Sequence, residues 1–215
     1  MPVAEQVDFT LLVFAKAPVP GSSKTRLIPL LGAAGAAQAQ LRLLHHTLNT
    51  AAAAAPVQLQ LWCAPDATHP ELRTAATRCG ATLHVQQGAD LGARMAHAFH
   101  SAFTTARRVI CIGTDCPALS AAHLRDAAAQ LKAGNDAVLV PAEDGGYTLI
   151  GLARDEPRLF SGISWGSDQV LAQTRTCLRD CALRWQELET LWDIDRPQDW
   201  QRLQASGLLG TDTAI

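Results

Sequence analysis

Short, wholly apolar runs recur along this chain, and the stretches between them carry their leucines and alanines at helical spacing. Thr10 to Ala15 (TLLVFA) is unbroken by a charge, rich in branched and aromatic residues, and bounded by Lys16 and two prolines. That pattern predicts a strand buried on both faces. Val57 to Cys63, Thr82 to Gln86, Arg108 to Ile112, Ala137 to Pro141 and Tyr147 to Leu152 read the same way. Helices are predicted over Gly35 to Ala54, Leu91 to Ala106, Ser120 to Ala133 with Ser120 as cap, and Ser167 to Asp180. Strand and helix thus alternate, the signature of a mostly parallel sheet covered by helices. After Gly162 the alternation weakens to one helix, a short strand near Leu183 to Trp185, and a final helix opened by Pro197 and running to about Ala205. The last ten residues read as a loose tail.

Composition narrows this picture. A chain of 215 residues, 48% apolar, suits one three-layer α/β/α domain over residues 1–215. With a formal charge of −2 and scattered basic residues, no field is expected to hold a polyanion, so nucleic acid is not an expected partner. Six well-separated cysteines with no signal-peptide pattern point to reduced thiols and a cytoplasmic protein. Cys177 and Cys181 fall on one helix face but would need further ligands to hold a metal. No uninterrupted apolar run reaches about 18 residues, so no membrane span is expected.

In an open parallel sheet, ligands bind beyond the carboxyl ends of the strands. The first such loop, from Ala15 and Lys16 through Gly21, Ser22, Ser23, Lys24, Thr25 and Arg26, holds three cations, two prolines, a glycine and three hydroxyls. Such a loop suits a polyphosphate: Gly21 permits bared amides, the hydroxyls donate, and Lys16, Lys24 and Arg26 neutralise phosphate charge. It is not a Walker loop, because Ser23 stands where a glycine is required before the lysine. A solvated basic loop is the plainer alternative.

Three acidic segments follow. Thr114 and Asp115 end the run Arg108 to Ile112, where a carboxylate is expensive unless a cation meets it; Asp115 is the first candidate metal ligand, or else a cap or turn residue. Asp193 and Asp195 alternate ahead of Pro197, and Asp195 either completes the coordination or caps the last helix. Glu143, Asp144, Gly145, Gly146 and Tyr147 mark the link between two predicted strands. Glu143 and Asp144 are candidates for a general base, Asp144 foremost, or for binding a second ion, with the glycines as a close-approach point; the alternative is an ordinary hairpin turn. Asp90, Gly92 and Arg94 at a helix start, and Trp165 before another helix, are further candidates for nucleotide and acceptor contact, with capping and core packing as alternatives. No metalloprotease histidine pattern occurs, and hydrolase chemistry is not expected.

Taken in order, FAKAPVPGSSKTRL, DLGARM, IGTDCPAL, PAEDGGYTLIGL and ISWGS resemble the bacterial "transferase 1" family of glycosyltransferase-like proteins, often associated with radical SAM or selenium-related genes. The resemblance covers about residues 9 to 205 and implies the nucleotide-diphospho-sugar transferase fold, of the glycosyltransferase A-type. It implies that the loop Lys16 to Arg26 cradles nucleotide phosphates, with Lys24 and Arg26 catalytic, and that Asp115 binds Mg²⁺ or Mn²⁺. Asp195-Arg196-Pro197-Gln198-Asp199 looks like the late D-x-P-x-D segment of nucleotidyltransferases, which promotes Asp195 as second ligand. A nucleotide or nucleotide sugar and a small acceptor, the latter near Gly145, Gly146, Tyr147 and Trp165, are the implied partners. Asp115 is followed by Cys116-Pro117 rather than by a second aspartate as in glycosyltransferases, and the opening loop lacks the glycine-rich start of nucleotidyltransferases. Both glycosyl and nucleotidyl transfer therefore stay open, beside a binding protein without turnover.

Overall fold

The computed structural model describes residues 8–209. Seven strands form one sheet in the order β3-β2-β1-β4-β6-β5-β7. They are β1 Thr10–Lys16, β2 Gln58–Ala64, β3 Thr82–Val85, β4 Val109–Ile112, β5 Ala137–Pro141, β6 Tyr147–Leu152 and β7 Trp185–Glu187. All run parallel except β6, which pairs antiparallel with both β4 and β5. The expected mostly parallel mixed sheet is therefore present, and β5 and β6 have the predicted bounds. The last strand lies two residues later than expected, because Leu183 is a buried anchor ahead of the strand rather than its first residue.

Alternation along β1 shows how the layers form. Leu11, Val13 and Ala15 face one cluster while Leu12 faces the other, as period-two side chains must. The first layer holds α1 (Ile28–Ala53), α2 (Pro70–Cys79) and α4 (Ala121–Lys132); the second holds α3 (Leu91–Phe103) and α5 (Val170–Asp180). Pro70 at the first turn and Gly80 in left-handed backbone bound α2, a helix not singled out from the sequence. Ser120 caps α4 as expected, with the His123 ring completing a reciprocal box. Gly32 breaks α1 at φ 69°, so the regular helix begins close to the predicted Gly35.

A smaller third cluster joins Leu27, Ala36, Ala39 and Leu43 to Ile194, Trp200 and Leu203. It fastens α6 (Pro197–Ser206) and the segment before it onto α1 and the 3-10 turn Thr25–Leu27. The segment Thr25–Ala53 is, by length and composition alone, long and apolar enough to cross a membrane, a test that the core helix of a soluble protein also passes; its alanines raise the mean although no single run is long. Its buried face packs in the core through Leu43, Leu44 and Leu48. Of the expected loose tail, 207–209 are turn and 210–215 lie outside the described residues.

Candidate functional site

Parallel strands bring the loops after β1 and β4 to one edge of the sheet, and the antiparallel β6 brings the β5–β6 hairpin to the same edge. A cleft of about 880 Å³ opens there. Arg26, Asp115, Asp144, Gly146, Tyr147, Trp165, Asp193 and Asp195 all line it. Phe14, Leu91, Met95 and Ile150 give it an apolar wall. Seven carboxylates line the cleft against two arginines, so a phosphorylated ligand needs additional positive charge to enter.

Two distant segments meet because their apolar residues share a core. Leu27 and Ile194, both fully buried in the third cluster, set the basic loop beside the late acidic segment. The Ile194 N–H donates to the Asp115 carbonyl at 2.8 Å, stitching that segment to the loop after β4. Lys24 Nζ lies 2.8 Å from Asp115 Oδ1 and donates to the Ile194 carbonyl, and Arg26 pairs with Asp195. Asp199 accepts from the N–H groups of Asp195 and Arg196, a capping turn that fixes where Asp195 starts. Asp193 is pushed up to about 6, first by burial and then by the charges of Asp144 and Asp115, with Lys24 opposing. Asp144 and Asp115 therefore both stand near enough to repel Asp193.

Among the described residues, no three His, Cys, Asp or Glu side chains form a ready-made metal cage. Asp115, Asp144 and Asp193 nevertheless suit a hard divalent ion that takes one or two carboxylates and completes its shell from a ligand's phosphates. The repulsion on Asp193 is what such an ion would relieve. The donor set fits Mg²⁺ or Mn²⁺.

Several candidate residues serve the fold instead. Ser23 is buried, its hydroxyl donating to the Ala17 carbonyl at 2.6 Å and accepting the Val19 N–H, so it shapes the opening loop from within. Gly21, Ser22, Thr25 and Lys16 are exposed beside the cleft but do not line it, and Ala15 is core. Thr114 is also buried; it accepts from Gln40 and donates to Asp115 Oδ1 at 3.3 Å, orienting that carboxylate. Asp90 caps α3 through the Ala93 N–H, and Arg94 donates to the Gly88 carbonyl. From that segment it is Leu91 and Met95 that reach the cleft.

The glycines are corrected in the same way. A Cβ on Gly92 would stand 2.4 Å from both the Trp165 indole nitrogen and the Phe160 carbonyl, so the close approach there is made by this chain's own indole. On Gly145, at φ 88°, it would meet the Asp168 carbonyl at 2.3 Å. Gly145 lets the start of α5 dock on the hairpin, and only Gly146 faces the cleft, its N–H donating to Asp144 Oδ1 at 2.8 Å. Trp165 stands edge-on to Tyr147, with centroids 6.5 Å apart. The Tyr147 hydroxyl points into the core and burial raises its pKa, leaving the ring to form the wall.

Gly162-Ile163-Ser164-Trp165-Gly166 has the spacing of a hydrolase nucleophile elbow, a match the sequence reading passed over. It follows a 3-10 turn rather than a strand, and Ser164 accepts hydrogen bonds from Gln173 through its hydroxyl and donates one through its N–H. No histidine activates it among the described hydrogen bonds. The segments missed from sequence are the buried pair Leu27 and Ile194, whose apolar character was visible but whose meeting was not.

Comparison with known folds agrees with this architecture. A candidate nucleotide-diphospho-sugar transferase from Desulfovibrio desulfuricans G20 superposes with a TM-score of 0.84 at 31% identity, over 95% of this chain and 89% of that one. CMP:2-keto-3-deoxy-manno-octonic acid synthetase in complex with CTP matches at 0.60 and 11% identity, over 93% and 98%. Rv0371C of Mycobacterium tuberculosis H37Rv in complex with manganese matches at 0.59 and 20%, over 92% and 97%. The latter two are alike in fold alone. No curated protein matches in sequence. Residues 47–167, more than half of the chain and including Asp115 and Asp144, match a bacterial family profile, and the chain belongs to that family, "Uncharacterized protein conserved in bacteria (DUF2064)".

Proposed function

We propose that this protein is a cytoplasmic, metal-dependent transferase that uses a nucleotide-activated donor, glycosyltransferase-like in its chemistry, within the subgroup associated with radical SAM and selenium-related genes. The observation that carries the proposal is the convergence of Arg26, Asp115, Asp193 and Asp195, from three remote segments, on one cleft at the carboxyl edge of the sheet, with Lys24 paired to Asp115. The related folds support it, since one holds CTP and another manganese.

Asp115 with Asp193, or with Asp195 once Arg26 turns away, would hold the ion. A bound Mg²⁺ or Mn²⁺ supplies neutralisation of the donor's phosphate oxygens. Lys24 and Arg26 add positive charge where negative charge builds on the departing phosphate. Asp144, held by the Gly146 N–H, keeps its second oxygen for the acceptor's proton. Trp165 and Tyr147 form the wall against which the acceptor lies, excluding water from one side.

Nucleotidyl transfer is the second reading, supported by the Asp195 to Asp199 turn, whose capping geometry aims Asp195 into the cleft. Thermal melts across nucleoside triphosphates and nucleotide sugars, with and without Mn²⁺, test the proposal and separate the two readings. A shift with one nucleotide sugar and Mn²⁺, followed by release of the nucleoside diphosphate, supports glycosyl transfer; a shift with a triphosphate and release of pyrophosphate supports the second. No shift with any donor would leave neither standing.

A further inference from the structure

The acids of the cleft already hold a cation of the protein's own. Lys24 sits in left-handed backbone at φ 47°, uncommon for a side chain of its size, and its side chain is only 7% exposed. Its ammonium lies 2.8 Å from Asp115 Oδ1 and donates to the carbonyl of Ile194, the residue between Asp193 and Asp195. One positive charge thus bridges the two segments from which a metal ion would draw its ligands. A free divalent ion arriving at Asp115, whose side chain is half exposed, would meet that ammonium across a few ångströms. Displacing it is also costly, because a nearly buried ammonium would then keep only a neutral carbonyl as partner. Phosphate oxygens resolve both problems, since they accept the ammonium's hydrogen bonds and carry the ion with them.

We propose that Lys24 closes the site to free metal and opens it to the metal–polyphosphate complex. The donor's phosphate would draw Nζ away from Asp115 and so free that carboxylate to hold the ion. The protein therefore recognises the chelate rather than binding metal first and donor second. This rests on the metal-dependent reading above and adds to it the form in which the donor is recognised.

The test is Mn²⁺ binding to the full chain, followed by the electron paramagnetic resonance of the free ion, for wild type, Lys24→Met and Lys24→Gln. Tripolyphosphate serves as the donor probe in a parallel calorimetric titration of the Mn²⁺ complex. Both variants are expected to bind free Mn²⁺ about tenfold or more tighter than wild type, and to bind Mn²⁺–tripolyphosphate more weakly. A lysine with a purely structural role would not tighten the binding of free metal on removal. Unchanged or weaker Mn²⁺ affinity in the variants, with the complex still bound by wild type, overturns the exchange alone. Absence of Mn²⁺ binding in every arm overturns the metal-dependent reading and the exchange with it. Far-UV circular dichroism reports folding, and the polar, uncharged glutamine variant carries the comparison should methionine disrupt the loop.

Discussion

Replacing Ile194 by alanine is the perturbation that separates the scaffold of this site from its chemistry. The side chain is fully buried with Leu27, Leu43, Trp200 and Leu203, while its own N–H and carbonyl hold Asp115 and Lys24. Alanine keeps both backbone bonds and removes three carbons. At about 0.8 kcal/mol for each buried methylene-sized group, transfer alone costs about 2.4 kcal/mol. The cavity left in a cluster this small brings the total to about 3–4 kcal/mol, inside the usual range for such truncations. For a chain of this size each kcal/mol moves the melting temperature by about 2–4 °C, so a fall near 10 °C is expected by scanning calorimetry. Ile194→Val, which loses one such group, should fall by only about 1 kcal/mol. Metal-dependent ligand binding should weaken in the alanine variant even at temperatures where it is fully folded, because Leu27 and Ile194 set the spacing of the charged segments. A loss below about 1 kcal/mol, or undisturbed ligand binding in the folded variant, would refute the claim that this cluster positions the site.

Three further outcomes follow from particular contacts. Gly92→Ala drives a methyl group into the Trp165 indole and the Phe160 carbonyl, and should cost about 1–3 kcal/mol with a change in tryptophan fluorescence as Trp165 leaves the cleft wall; an unchanged spectrum and melt would contradict the packing. Glu187 accepts two hydrogen bonds from Arg175, at 2.8 and 2.6 Å, which hold its carboxyl below the usual range. Because the folded pKa is the lower one, the stability that this pair contributes is present above the ordinary glutamate value of about 4.3 and lost as pH falls through the depressed one. The melting difference between wild type and Glu187→Gln should accordingly be constant near neutrality and shrink below about pH 4, and a difference independent of pH would exclude the pair as its source. Once a donor and acceptor are in hand, Asp144→Asn should lower kcat by about 10²–10⁴ with donor affinity little changed, as removal of a general base does; an equal loss in donor affinity would move Asp144 to the binding of the ion.

Most strands were legible because they are short, largely apolar runs closed by a turn, whereas β7, with only Trp185 apolar, was placed two residues early. Even the antiparallel hairpin between β5 and β6 was announced by Asp144-Gly145. What sequence could not supply was tertiary. Gly92 looked like room for a ligand, yet the neighbour that needs the room is Trp165, 73 positions away and outside any local pattern. Asp90 and Ser23 were counted as binding groups because a hydroxyl or carboxylate near a loop has the same signature whether it meets a phosphate or a backbone N–H. Helix α2 escaped notice since its polar face dilutes the periodicity, although Pro70 and Gly80 mark both of its ends. The union of Lys24 with Asp115, and of Arg26 with Asp195, depends on Leu27 meeting Ile194, a contact that no local spacing encodes.

The central claim is that Asp115 anchors an ion shared with a phosphorylated donor. Its most direct measurement is the melting temperature of wild type and Asp115→Asn with the donor identified by the nucleotide panel, each with Mn²⁺ and with chelator. At a donor concentration about 100-fold above its Kd, wild type should gain about 2.7 kcal/mol, or about 5–10 °C, only when Mn²⁺ is present. Asp115→Asn should lose that metal-dependent gain, measured against its own unliganded melt, which falls below wild type because the nearly buried Lys24 ammonium loses its charged partner. An Asn variant that keeps the full Mn²⁺-dependent shift would contradict the account.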